Sequence, residues 1–261
     1  MEYSKLHHPT LRVLHILETV CDSDKELTLT DISNQTGIAK GTLHPIIMTL
    51  AHERYLKIHN SVITIGQQCF KLGNAYEHSL DYLAIIRPHM REIVSQCDEI
   101  CQLGVLDGPD VLYVEKTEPD QAIRITSHVG KTLAASATSL GKALLSGLSD
   151  EAIRTLYAEG LTRYTEKTTV DIDMLLTQIA AVRANGYAHE IGETHIEVEC
   201  LAVPIRREND ILASMSVSLP IFRSTPEKVQ SIVSLLKKQA VRIEQEMKMI
   251  PVNNMDISYK K

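Results

Sequence analysis

Between residues 9 and 21 the apolar positions Val13, Ile16, Leu17 and Val20 recur at the i, i+3, i+4, i+7 interval of a helix with one buried face. Pro9 stands near its start, where the first turn has no use for an N–H. A shorter helix is predicted over 27–37: Thr28 precedes it as N-cap, Asp31 follows three residues on as a weak capping box, and Gly37 ends it. A third runs from residue 40 to about residue 54. The period then changes, because 55–59 and 62–65 alternate about Asn60-Ser61 as a hairpin does. Three helices and a hairpin make a winged helix, whose tight helix pair can place its second member in a DNA major groove. The same shape also serves as a protein-interaction module, and periodicity leaves both readings open.

After Gly66, the residues Cys69, Gly73, Tyr76, Leu80 and Leu83 form a heptad-like seam, which predicts one helix over 67–86 ending at Arg87-Pro88. Such a linker could dimerise or fold back on its own chain. From residue 87 the texture becomes α+β. A helix is predicted over 88–97, strands over 101–106 and 111–115 about the turn Asp107-Gly108-Pro109-Asp110, and a third strand over 123–127. Small residues at 134–139 lead into Gly141-Lys142-Ala143-Leu144-Leu145, then come helices from Asp150 and from Asp171, the latter ended by Asn185-Gly186. Strands resume at 201–206 and 211–219. A last amphipathic helix starts at Thr225-Pro226-Glu227 and is stopped by Pro251, ahead of a polar tail at 251–261. The expected organisation is a winged helix over 1–66, a linker over 67–86 and a second domain over 87–250.

A chain of 261 residues suits two domains, and 44% hydrophobic with 23% charged residues can bury a core without metals or disulfides. No apolar run approaches the roughly 20 residues of a membrane span, and the opening Met1-Glu2-Tyr3-Ser4-Lys5 lacks the apolar stretch of a signal peptide, so a cytoplasmic protein away from membranes is expected. The five cysteines are odd in number and never spaced C-x-x-C. Cys97 and Cys101 would share a face if their segment were helical, but no matching pair lies near them, so no metal site or cofactor is expected. The net charge of −6 does not advertise nucleic-acid binding; residues 1–80 are nevertheless close to neutral and hold seven of the eleven histidines. Any DNA contact must therefore be local. No G-x-S-x-G, P-loop or metal-spaced histidine cluster occurs, which argues against an enzyme, although a hydrolase using Cys200 or Ser216 stands as the rival class.

Several segments in order resemble the IclR family of bacterial transcriptional regulators over about 9–249: Gly37-Ile38-Ala39-Lys40-Gly41-Thr42-Leu43-His44, Leu50-Ala51-His52-Glu53-Arg54-Tyr55-Leu56, Leu140-Gly141-Lys142-Ala143-Leu144-Leu145, Asn185-Gly186-Tyr187-Ala188, Cys200-Leu201-Ala202-Val203-Pro204-Ile205 and Ser216-Val217-Ser218. The resemblance implies an α+β protein with an N-terminal winged helix-turn-helix, a helical linker, and a C-terminal GAF-like effector domain built on an antiparallel sheet flanked by helices. It also implies a homodimer or dimer of dimers, and a double-stranded DNA operator released or bound under control of a small effector, more often as a repressor. Carried over by position, DNA contacts fall on Thr28, Lys40, Gly41, Thr42 and His44, with Lys57, His59 and Asn60 in the wing. Effector contacts fall on Ser139, Leu140, Glu190, Cys200, Ser216 and Ser218. Ser216 and Ser218, two apart on a strand, face one side, and residues 139–140 would open a helix, where free N–H groups attract an anion. A small organic acid, in particular a sugar or hydroxy acid, fits both these donors and the Glu190 acceptor. The chain departs from the family at Pro45, where an arginine is usual and a proline can bend the recognition helix, at Ser136 (a histidine) and at Glu197 (a glycine).

Overall fold

The computed structural model describes residues 6–23, 25–80, 82–120 and 128–249. The chain divides between Ser79 and Leu80 into two compact units.

The first unit opens with α1 (His8–Cys21), with proline in its first turn. Ile16 and Val20 are buried, and Val13 and Leu17 pack beside them. In α2 (Leu29–Thr36) the capping box closes: the Asp31 N–H donates to the Thr28 hydroxyl oxygen and the Thr28 N–H donates to the Asp31 carboxylate at 2.9 Å. Gly37 ends the helix at φ +69°, a left-handed conformation that costs glycine little. The next helix, α3 (Lys40–His52), crosses Pro45 without interruption. Since it starts at Lys40, Pro45 lies in the second turn, and its absent N–H leaves the Gly41 carbonyl without an i+4 donor. Strands β1 (Leu56–His59) and β2 (Val62–Ile65) pair antiparallel, His59 opposite Val62, around Asn60 and Ser61. Both turn residues have positive φ (49° and 66°), the type I′ geometry whose twist matches the strands. The Ile63 N–H donates to the Leu27 carbonyl, so the hairpin is tied to the lead-in of α2. Gly66 is dictated by space, because a Cβ there would lie 2.2 Å from the Arg54 carbonyl oxygen.

Where one helix was expected over 67–86, the chain forms two: α4 (Gln67–Ser79) and α5 (Tyr82–Cys97). The heptad-like seam is not one surface. No side chain of α4 is buried, and Phe70, Leu72 and Tyr76 are exposed, whereas Leu80 and Leu83 are buried in the core of the second unit. Pro88 lies inside α5 rather than at a boundary. The helix continues because Leu83, Ile86, Met90 and Ile93, on both sides of the proline, share one buried face. Cys101 is a strand residue, so it shares no helical face with Cys97.

The second unit is built on β3 (Ile100–Asp107), β4 (Asp110–Thr117), β5 (Thr132–Ala134), β6 (Ala188–Ile191), β7 (Val198–Arg207) and β8 (Asp210–Pro220), with helices α6 (Ser139–Leu145), α7 (Asp150–Leu156), α8 (Ile172–Asn185) and α9 (Pro226–Met247). The six strands form one antiparallel sheet in the order β5-β4-β3-β8-β7-β6. Period-two alternation splits it into two faces. Cys101, Leu103, Val105, Leu201, Val203, Ile205, Met215, Val217 and Leu219 close a core with α5 and α9, while Val111, Tyr113, Ala188 and Ala202 meet α6 and α8. Short β6 had no sequence counterpart. The strand expected at 123–127, Pro251 and the polar tail lie outside the described residues.

Candidate functional site

Two surfaces collect the residues singled out in the sequence, one in each unit. In the first, Leu43, Ile47 and Leu50 turn α3 inward and leave Lys40, Gly41, Thr42, His44, Pro45 and Met48 exposed. Lys57, His59 and Asn60 are exposed along the hairpin, and Asn60 Nδ2 lies 3.2 Å from His59 Nε2 at its tip. Thr28 is half-buried, and its hydroxyl donates to the Asp31 carboxylate at 2.6 Å, so it is committed to the cap. Hydrogen bonds from Thr28 hold the Asp31 carboxyl below its usual range, with the Lys40 charge adding to the effect. The exposed end of α3 thus offers a lysine, a hydroxyl and an imidazole within five residues, with a glycine that would let a partner approach the backbone. An added Cβ at Gly41 meets nothing within 4 Å, so packing does not require that glycine.

In the second unit the strand register assembles the other set. Glu190 pairs with Cys200, Cys200 with Ser218, and Ser218 with Ile100, a row running across four strands; the next row is Ala188, Ala202, Ser216 and Gln102. All of these side chains point to the α6 side of the sheet. Ser139 and Leu140 open α6 above it, both buried, with the Thr138 hydroxyl accepting from the Gly141 N–H at 2.9 Å. Cys200 Sγ lies 3.1 Å from Ser218 Oγ, and the Ser218 hydroxyl donates to Gln102 Oε1 at 3.0 Å. Glu190, Cys200, Ser216 and Ser218 therefore share one face of the sheet, against which the helix that Ser139 and Leu140 open is packed, Leu140 itself within the apolar core there. Burial pushes the Cys200 thiol well above its ordinary range, with the Glu190 carboxylate reinforcing the shift, so the sulfur stays protonated and makes a poor nucleophile.

Three further residues of this site escaped the sequence reading. Gln102 is one. The others are Lys142 and Glu193, a buried ion pair between α6 and the loop after β6, in which the second Glu193 oxygen accepts the Thr169 N–H at 3.2 Å. Glu193 also ties this pair to the row, since its backbone N–H donates to Glu190 Oε2 at 2.9 Å. Burial pushes the Glu190 carboxyl up to about 7; the Glu193 carboxylate adds to the rise, and hydrogen bonds from the Glu193 N–H and Cys200 oppose it, as does Lys142. A carboxyl whose pKa is raised on folding leaves stability untouched below its unfolded value and costs stability as pH rises through the folded one. Glu190→Gln is accordingly expected to stabilise the second unit at pH 8 by up to about 3 kcal/mol and to change little at pH 4. Urea denaturation at the two pH values reads this, and an equal effect at both would show that the carboxyl ionises freely in the fold.

Profiles of two domains match the chain: the IclR helix-turn-helix domain over residues 10–57, and the bacterial transcriptional regulator IclR C-terminal domain over residues 74–245. Among curated relatives it is similar to the transcriptional repressor IclR of Escherichia coli, 28% identical over 238 residues that cover 89% of this chain and 87% of the relative. It is also similar to the HTH-type transcriptional regulator XynR of the same organism, at 31% identity over 212 residues, 79% of this chain and 84% of XynR. Among solved structures, an IclR homologue from Microbacterium hydrocarbonoxydans complexed with 4-hydroxybenzoate superposes with a TM-score of 0.78 at 24% identity, covering 92% of this chain and 99% of that one. With a winged helix ahead of an antiparallel effector-type domain, and both matched in sequence, this chain belongs to the IclR family of bacterial transcriptional regulators.

Proposed function

We propose that this regulator represses transcription by holding operator DNA through α3 and the hairpin, and that a small hydroxy or sugar acid bound between α6 and the sheet changes that hold. The carrying observation is the row of buried Glu190 and Ser218 with half-buried Cys200 between them, backed by Ser216 and Gln102, which sets acceptors and donors side by side on the α6 face of the sheet. A carboxyl poised near 7 serves such a ligand in either state: ionised it accepts from a hydroxyl, and protonated it donates to a carboxylate. The homologue's complex with 4-hydroxybenzoate, an acid bearing a hydroxyl, supports the same ligand class. Control requires tighter binding of the ligand to one conformation than to the other. On the DNA side, Lys40 and Thr42 are the phosphate contacts, His44 reaches toward base edges, and Lys57, His59 and Asn60 form the wing contacts. The protein acts as a homodimer or dimer of dimers, for which the exposed Phe70, Leu72 and Tyr76 of α4 supply an apolar surface.

Fluorescence anisotropy on a fragment from beside the coding region, titrated with salt and with candidate acids, tests the reading. Lys40→Ala is expected to weaken binding and to flatten the salt dependence by roughly one unit. No binding by the wild type at low ionic strength, with or without acids, would sink the operator reading. Turnover of simple esters abolished by Cys200→Ala would favour the hydrolase instead.

A further inference from the structure

We propose that the outer stripe of α1, centred on Arg12, is a second contact for the phosphodiester backbone of DNA, beside the one at the start of α3. His8, Arg12 and His15 follow one another at i, i+4 and i+7, so they form one stripe along the helix. That stripe is one wall of a surface groove whose opposite wall is Thr36, Gly37, Ile38, Ala39 and Thr42, the turn into α3 and its first turn. All three basic side chains are exposed, and Arg12 makes no ion pair or hydrogen bond among the described residues.

The α1 side of the groove thus carries one fixed positive charge, Arg12, beside two imidazoles and the apolar Leu11 and Leu14, and the groove shares Thr42 with the exposed end of α3. A strand of duplex whose major groove receives α3 runs past that end, and its phosphates are the anions nearest to Arg12. The fork of a guanidinium matches two phosphate oxygens and carries no information about base identity. Two acids bear on the groove: Glu18 lines it one turn beyond His15, and Asp31, near Lys40, is held in its capping box by Thr28. Glu18 confines the favourable potential to the half nearest His8 and Arg12. In a unit whose net charge is close to zero, one unpaired guanidinium is a large share of the local field.

The inference rests on the operator reading, and the experiment separates the two. Binding of the upstream fragment and of a random duplex of equal length is measured against salt for wild type, Arg12→Ala, Arg12→Lys and Lys40→Ala. Arg12→Ala is expected to weaken both duplexes alike, by roughly five- to tenfold, and to lower the salt slope by about one. Arg12→Lys keeps the slope, because it keeps the charge, and the thermal midpoint of either variant equals that of wild type. If Arg12→Ala matches wild type in affinity and slope while Lys40→Ala does not, or if it changes affinity for the upstream fragment alone, the backbone assignment for α1 is overturned and the operator reading stands. Failure of the wild type to bind either duplex overturns both.

Discussion

Gly141→Ala is expected to unfold the second unit, or to destabilise it by at least about 4 kcal/mol. A methyl group at this position would lie 2.1 Å from the Ala135 carbonyl oxygen and 2.2 Å from Ala135 Cα, well inside any tolerated contact. Both obstacles are backbone, so no side chain can swing aside. Ala135 belongs to a short 3-10 turn (Ala135–Ala137) that is itself fully buried, and its N–H donates to the Pro109 carbonyl at 2.9 Å. Relief therefore requires α6 to lift away from the sheet, which would open the core formed by Leu140, Ala143, Leu144 and Leu145. Limited proteolysis and urea denaturation monitored by circular dichroism read the outcome. A loss below about 1 kcal/mol would mean that α6 can shift freely, and the close helix–turn contact would not be the reason for the glycine.

Lys142→Met should cost about 3–5 kcal/mol, nearly all of it from the partner left behind. Lys142 is 1% exposed and its ammonium pairs with a Glu193 carboxylate that is also buried. Methionine fills the space of the lysine stem but strands the carboxylate. Adding Glu193→Gln should restore most of the loss, since glutamine keeps an acceptor for the Thr169 N–H and carries no charge. Denaturant midpoints for the three proteins decide the matter. A single variant no less stable than the double one would show the pair to be unimportant.

Local chemistry was legible where it acts over a few residues. The Thr28–Asp31 box, the Gly37 and Gly186 ends, the Asn60-Ser61 turn and the Thr225 cap were all in the sequence because each is closed by neighbours three or four positions away. The α4–α5 break was not, since both helices have helical periodicity and differ only in what lies beside them: no side chain of α4 is buried among the described residues, whereas the sheet and α9 bury one face of α5. Pro88 misled for the same reason, the packing of its neighbours outweighing one missing hydrogen bond. The site was half legible. Ser216 and Ser218 show their common face by spacing, and Gln102 could have been found likewise, as the lone amide in the apolar run from Ile100 to Leu106. Lys142 and Glu193 are 51 positions apart, and no local pattern announces a pair made by tertiary folding.

Strand β8 is a partition with a different packed layer on each side. Its even-numbered hydroxyls, Ser214, Ser216 and Ser218, look toward α6; its odd-numbered Met215, Val217 and Leu219 are wedged among the residues of α5 and α9. A guest that pressed on the hydroxyl side by a fraction of an ångström would displace the same backbone that the opposite side chains lean on. News of occupancy would then need to cross only one strand's thickness, about a single layer of side chains, to reach α5.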